Sequence, residues 1–392
     1  MRNVMKASTL ESKFPLLSVE SGCIVSKDAD ITIAFRIELP ELFTVTHPEY
    51  EAMHAAWCKA VKVLPQYSVV LKQDWFIREK YRPELDGQES FLSRSYELHF
   101  NERPFLNHAC FLYLTKTTKE RNRRQSDFST LCRGHILPKE VNAETARAFL
   151  ESVDQFERIM NDSGFVRLTR LTDDEITGTP DAPGLIEKYF ALSLDDTTVL
   201  QDIELGSEEF RVGNKHVCLY TLSDTDDLPG QVGTDSRYER LSTDRSDCLL
   251  SFAAPVGLLL SCDHIYNQWL FLDDSAENLS RFEKSARNMH SLARYSRSNQ
   301  INKEWIDQYL NEAYSFGLTS IRAHFDVLAW SDDAQELRRI KNDVGSQLAQ
   351  MECRPRHNTV DAATLFWAAM PGNGGDFPAE ESFYTFIEPA LC

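Results

Sequence analysis

Ile31-Thr-Ile-Ala-Phe-Arg-Ile-Glu-Leu39 is the stretch that sets the fold class. Ile31, Ile33, Phe35, Ile37 and Leu39 alternate with Thr32, Ala34, Arg36 and Glu38, the period-two pattern of a half-buried strand. Gly22 to Ser26 reads as its hairpin partner, with Lys27-Asp28 near the turn. Downstream, Thr46 and Glu49 have capping-box spacing and Pro48 suits a first helical turn. Tyr50, Met53, Trp57, Ala60, Val61 and Leu64 then make one apolar helix face, and Pro65 stops it. Tyr67 to Arg78 follows as a strand, Phe91 to Phe100 as a helix and Ala109 to Thr115 as a further strand. Asn142 opens another helix, with Phe149, Val153, Phe156 and Met160 inward and Gly164 as C-cap.

The second half repeats this style. Val217 to Leu222 and Ile265 to Leu272 read as strands. Leu279, Phe282, Ala286, Met289 and Ala293 line a helix, and a second helix runs from about Asn302 to Phe316 before Gly317. Ile321 to Ala329 alternates as a strand, and Ser331 or Asp332 caps a helix with Leu337, Ile340, Val344 and Leu348 inward. Phe366 to Met370 reads as an apolar, strand-like run broken at Pro371-Gly372-Asn373, with an aromatic segment at Ser382 to Ile387.

Strand–helix–strand order in both halves predicts an α+β protein of two lobes, each a mostly antiparallel or mixed sheet covered by helices. Asp173 to Gly184 marks the boundary, giving lobes over residues 1–175 and 176–392. Asp224 to Asp247, equally rich in turn formers, reads as a long surface loop. The aromatic pattern is cut off at Cys392, so the chain is expected to be the front part of something longer.

A net charge of −18 over 392 residues argues against general nucleic-acid binding, which needs a basic surface. With 42% hydrophobic and 26% charged residues, the composition is that of a soluble globular protein. Nine scattered cysteines suit buried thiols in a reducing compartment better than a disulfide framework. No signal peptide is evident. The longest apolar run, Leu249 to Leu260, falls short of the roughly 20 residues of a membrane helix. A cytosolic location is expected.

No glycine begins a phosphate-binding loop, and Gly372-Asn-Gly-Gly375 lacks the following Lys and Ser/Thr. Hence no catalytic, cofactor-binding or metal-binding residue is assigned, and the chain alone is not expected to be an enzyme. Cys262/His264, His108/Cys110 and Cys353/His357 are isolated pairs, short of the four ligands of structural zinc. Arg322, His324 and Asp326 share one strand face, the least favoured basis for a hydrolase. The stretch Lys116 to Gln125 carries Lys116, Lys119, Arg121, Arg123 and Arg124 and reads as an exposed loop, a candidate contact for an acidic partner, lipid or DNA. Arg281, Lys284, Arg287 and Arg294 form a weaker basic helix face, whose simpler reading is solvation.

Several long stretches resemble one family. Met1-Arg-Asn-Val-Met-Lys-Ala-Ser-Thr-Leu-Glu-Ser-Lys-Phe-Pro-Leu16 is similar to the opening of TraG-family ATPases of Bacteroides-type conjugative transposons. So are Phe100-Asn-Glu-Arg-Pro-Phe-Leu-Asn107, Leu241-Ser-Thr-Asp-Arg-Ser-Asp247 and Ser296-Arg-Ser-Asn-Gln-Ile-Asn-Lys-Glu-Trp-Ile306. Phe366 to Asn373 resembles the "ALPGN" segment ahead of the nucleotide-binding domain in type IV secretion assembly ATPases. The resemblance covers essentially the whole chain. It implies an N-terminal α+β domain ahead of a RecA-like motor, and this sequence stops before that motor. ATP and Mg are therefore expected only with the C-terminal domain, and no catalytic residue carries over to any position here. What is implied is a docking and assembly domain, cytoplasmic and peripheral to the inner membrane. Its partners would be inner-membrane and other subunits of the conjugation apparatus, its own ATPase domain, and copies of itself in a homo-oligomer. The alternative is a nucleic-acid-contacting module of the same machinery.

Overall fold

The computed structural model describes residues 8–41, 44–82, 90–135, 143–206, 210–234, 251–292 and 295–392. After a short α1 (Leu10–Lys13), β1 (Leu16–Glu20), β2 (Cys23–Ser26) and β3 (Ile31–Glu38) form an antiparallel meander. Then come α2 (His47–Lys62), β4 (Ser68–Lys80), α3 (Phe91–Phe100), β5 (Pro104–Lys116), α4 (Ala143–Asp162) and β6 (Arg167–Arg170). Both β3 and β4 pair antiparallel with β5, so they run parallel to each other and α2 is the crossover between them. β6 pairs with the outer edge of β3. The order β6-β3-β5-β4 is that of a ferredoxin-like split βαβ unit.

A connector follows, of α5 (Asp173–Thr177), the small ribbon β7 (Gly178–Thr179) and β8 (Ala182–Pro183), and α6 (Leu185–Ala191). The remaining elements repeat the first unit. β9 (Ile203–Leu205), β10 (Phe210–Val212) and β11 (Lys215–Leu222) form a second meander. Then come α7 (Ala254–Leu259), β12 (Asp263–Leu272), a hairpin of α8 (Ser275–Leu292) and α9 (Arg297–Phe316), β13 (Ser320–Ser331), α10 (Ala334–Gln350) and β14 (Arg356–Asn358). β11 and β12 flank β13, and β14 pairs with β11, so the order β14-β11-β13-β12 reproduces the first unit.

The two units join edge to edge. β4 and β12 pair antiparallel from Ser68 opposite Leu272 to Phe76 opposite His264. Among the described residues thirteen strands thus form one sheet, and the protein is α+β with its antiparallel sheet continuous across both halves. Alternate residues along the strands feed two cores. Trp57 of α2, Phe149 and Phe156 of α4, and Ile340 and Val344 of α10 pack with Val70 and Leu270 on one face. Tyr189 and Phe190 of α6 pack with Val69, Trp75 and Trp269 on the other, together with Phe366 and Trp367.

That second layer changes two expectations. Phe366 to Met370 is not strand-like: it belongs to α11 (Ala362–Ala368) and the turn after it, and is buried throughout. A short run apolar on every side has no period to distinguish helix from strand. β13, expected to be half-buried, is buried at every position because helices or loops cover both faces. Beyond α11 the chain passes through Pro371-Gly372-Asn373, pairs β15 (Phe383–Phe386) with β13, and ends in α12 (Ile387–Ala390). Gly372 has φ +88°, and a Cβ there would lie 2.5 Å from Ile24 Cγ2, so the loop meets β2 at backbone distance.

Local signals held. Glu49 accepts from the backbone N–H and the hydroxyl of Thr46, at 2.8 and 2.7 Å, at the start of α2. Gly317, at φ +62°, ends α9. Of the expected Asp224–Asp247 loop, Thr225–Asp227 form a 3-10 turn with Asp227 buried, and residues 235–247 lie outside the described residues. Asn142, Ala293, Arg294 and the Leu241–Asp247 match also lie outside them. Among the described residues, no helix is long and apolar enough to cross a membrane.

Candidate functional site

The basic segment after β5 is not an exposed loop. Arg121 and Asn122 are buried in a 3-10 turn, and the Arg121 guanidinium meets three carboxylates. Its Nη1 donates to Asp28, its Nη2 lies 2.8 Å from Asp30 Oδ2, and Asp376 stands 4.0 Å away. Lys119 and Arg123 both reach Glu277 of α8, at 2.8 and 2.9 Å. Lys116 donates to the carbonyls of Gln66 and Thr117, and burial pushes its pKa down to about 8. Arg124 is half-buried, and its carbonyl accepts from Ala379 N–H at 2.7 Å. Arg121 therefore answers carboxylates from the turn between β2 and β3 and from the C-terminal segment, while its neighbours Lys119 and Arg123 answer α8. On α8, Arg281, Lys284 and Arg287 are exposed, with Arg281 donating to Tyr384 Oη at 2.7 Å.

The Arg322–His324–Asp326 face is likewise internal. Arg322 donates to Asp273 at 2.8 Å, to Ser382 Oγ at 2.8 Å and to the Asn122 carbonyl at 2.5 Å. His324 Nδ1 lies 2.5 Å from the Glu381 carbonyl, and its Nε2 is 3.4 Å from Asp326 Oδ2. Asp326 accepts from Asn267 Nδ2 and Trp269 Nε1. All three side chains are buried and none lines the cavity described below, so this face ties strands together and the hydrolase expectation is withdrawn.

In the Cys–His pairs Cys110, Cys262, Cys353 and His264 are buried, whereas His108 and His357 are exposed. His264 Nδ1 lies 2.8 Å from the Cys262 carbonyl, and burial lowers the imidazole to about 4. Burial pushes the Cys262 and Cys353 thiols up to about 12. Among the described residues no group of His, Cys, Asp and Glu is arranged to hold a metal ion.

Two features that sequence reasoning missed stand out. The first is a cavity of about 850 Å³ over the β4–β12 seam, between the crossover helices α2 and α7. Tyr50, Met53 and Trp57 wall it from α2, and Ala254 and Gly257 from α7. Its floor carries Lys72, Asp74 and Phe76 of β4, His108 and Cys110 of β5, and Tyr266 and Gln268 of β12. Lys72 donates to Asp74 Oδ2, and His108 Nε2 lies 2.9 Å from Asp74 Oδ1. Burial works to raise the Asp74 carboxyl, but Lys72 and His108 outweigh it and hold Asp74 well below the carboxylate range. Burial likewise opposes the Lys72 charge, and Asp74 outweighs it, so the ammonium is held above its ordinary value. Burial keeps the Cys110 thiol protonated, with Asp74 adding to the effect. Phe76 is stacked between His108 and His264, ring centroids 4.5 and 4.6 Å away. The sequence clue was the pair Lys72 and Asp74, two charges at strand spacing between Val70 and Phe76 on one face of β4.

The second feature is apolar surface. None of the residues of α3 is buried, and Phe91, Leu92 and Tyr96 are 82%, 76% and 63% exposed. In the second unit the α8–α9 hairpin occupies the same topological position, and Tyr295, Trp305 and Phe316 are exposed there.

Residues 3–55 match a family described as a domain of unknown function, B. Theta Gene description (DUF3875). The matched stretch spans the first meander and the start of α2. No curated protein matches the chain.

Proposed function

We propose that this chain is a non-catalytic docking and assembly domain of a conjugative-transfer ATPase of the TraG kind. The observation that carries the reading is the outward apolar face of α3, which adds to the resemblance along the sequence. Single exposed apolar residues are ordinary on a monomer, whereas contiguous ones mark contact sites. A ten-residue helix that buries none of its side chains is also marginal in water by itself, and a partner surface would stabilise it.

In this reading the chain lies in the cytoplasm against the inner membrane. It contacts inner-membrane and other subunits of the conjugation apparatus, its own ATPase domain, and further copies of itself. ATP and Mg belong to that ATPase domain. The nucleic-acid reading loses its main support, because Arg121, Arg123 and Lys119 are already paired with carboxylates.

The test is co-purification of the chain with the membrane subunits of the conjugation apparatus. Phe91→Ser with Leu92→Ser is expected to abolish it while the fold is kept. Undiminished co-purification by that variant, or micromolar ATP affinity in the chain alone, would defeat the proposal.

A further inference from the structure

We propose that the cavity over the β4–β12 seam binds a small amphipathic acid, an apolar body bearing one carboxylate. The site shares no residue with α3, so this inference stands apart from the docking reading.

Three observations carry it. At about 850 Å³ the cavity falls in the range of small-molecule sites, roughly 300–1,000 Å³, and it lies where two structural units meet, a common place for such sites. Part of its lining is apolar and aromatic, chiefly Met53, Trp57, Phe76 and Leu270, beside the polar side chains of Arg36, Glu38, Glu41 and His54. Its floor holds an ionisable triad of Lys72, Asp74 and His108. Replacing a buried ion pair by apolar residues of similar volume is often neutral or stabilising. Lys72 and Asp74 nevertheless occupy inward positions between Val70 and Phe76 on β4.

The triad's polarity selects the head group. Both oxygens of Asp74 are engaged, by Lys72 and by His108. Lys72 has three N–H donors and directs one to Asp74, so the capacity left toward the cavity is that of a cationic donor. A carboxylate placed there accepts charge-assisted hydrogen bonds, while the apolar body packs against Met53, Trp57 and the edge of Phe76.

The full chain is titrated with 8-anilinonaphthalene-1-sulfonate, an aromatic anion that fluoresces in apolar sites, and the probe is displaced with decanoate or decan-1-ol. Decanoate is expected to displace it at least about tenfold more effectively, a margin of about 1.4 kcal/mol. Lys72→Met should reduce that preference below about twofold. Ala254→Trp, which fills the cavity from α7, should weaken the probe at least about tenfold. Circular dichroism establishes that each variant is folded. If Ala254→Trp does not fold, the decanoate and decanol comparison in the unaltered chain decides alone. Equal displacement by the acid and the alcohol, or a preference undiminished by Lys72→Met, overturns the proposal. Loss of the probe signal in Phe91→Ser, which would put the dye on α3, overturns it as well.

Discussion

Arg121 Nη2 lies 2.8 Å from Asp30 Oδ2, and both side chains are 1% exposed. A cation that follows β5 is thereby held by the residue that precedes β3, with Asp28 and Asp376 beside it. Removing one partner of such a buried pair leaves charge without compensation, which costs about 3–5 kcal/mol. Arg121→Met is therefore expected to lower the guanidinium unfolding free energy by that amount. A loss under about 1 kcal/mol would sink the buried-hub account.

His264 gives a pH dependence with a definite sign. Burial holds its pKa at about 4, below the ordinary 6.5. As pH falls below about 6.5 the unfolded chain takes up a proton that the folded chain refuses until about 4. The contribution is complete above the unfolded value and is lost as pH falls through that window, by about 3 kcal/mol. Asp30 and Asp376, raised by burial, act oppositely: their contribution is full below the ordinary carboxylate range and is lost as pH rises through their folded values. The His264 share is thus read as a difference. Urea midpoints from pH 7.5 to 4.5 should fall less steeply in His264→Gln than in the unaltered chain, and parallel curves would refute this.

The same substitution at two glycines should have opposite signs. Gly372→Ala forces a side chain into φ +88° and against Ile24, and is expected to destabilise by about 1–3 kcal/mol. Gly345→Ala lies within α10, where an added Cβ meets nothing within 4 Å, and should stabilise by up to about 1 kcal/mol. A Gly372→Ala midpoint that rises or stays put would show that the Pro371–Asn373 loop does not pack on β2 as described, and a Gly345→Ala midpoint that falls would refute the α10 prediction.

Substitutions on α3 should separate folding from association. Phe91→Ser and Leu92→Ser remove no buried contact, so unfolding free energies should stay within about 0.5 kcal/mol. A larger loss, measured on the isolated chain by chemical denaturation, would mean that α3 belongs to the fold and is not a free docking surface.

Much of the secondary structure was legible because its signals are local. The Thr46–Glu49 box, the apolar faces of α2, α4 and α10, and the glycine that ends α9 each act within a turn or two of their own residues. The recurrence of strand–helix–strand order was also readable, since it depends only on the sequence of elements. The candidate site was far less legible. Asp74 and His108 become neighbours through the pairing of β4 with β5, and no short motif announces that pairing.

The amino-acid sequence by itself determined that the chain is α+β, where its longer helices lie, and that strand–helix–strand order recurs in both halves. Caps, turns and hydrophobic periods are written over a few residues, and elementary sterics read them. Only the tertiary structure decided that β4 and β12 fuse the halves into one sheet, that Phe366 and Trp367 close its second face, and that Arg121 lies inside. Arg121 and Asp28 are 93 positions apart, and a buried charge goes wherever the folded chain gathers its counter-charges.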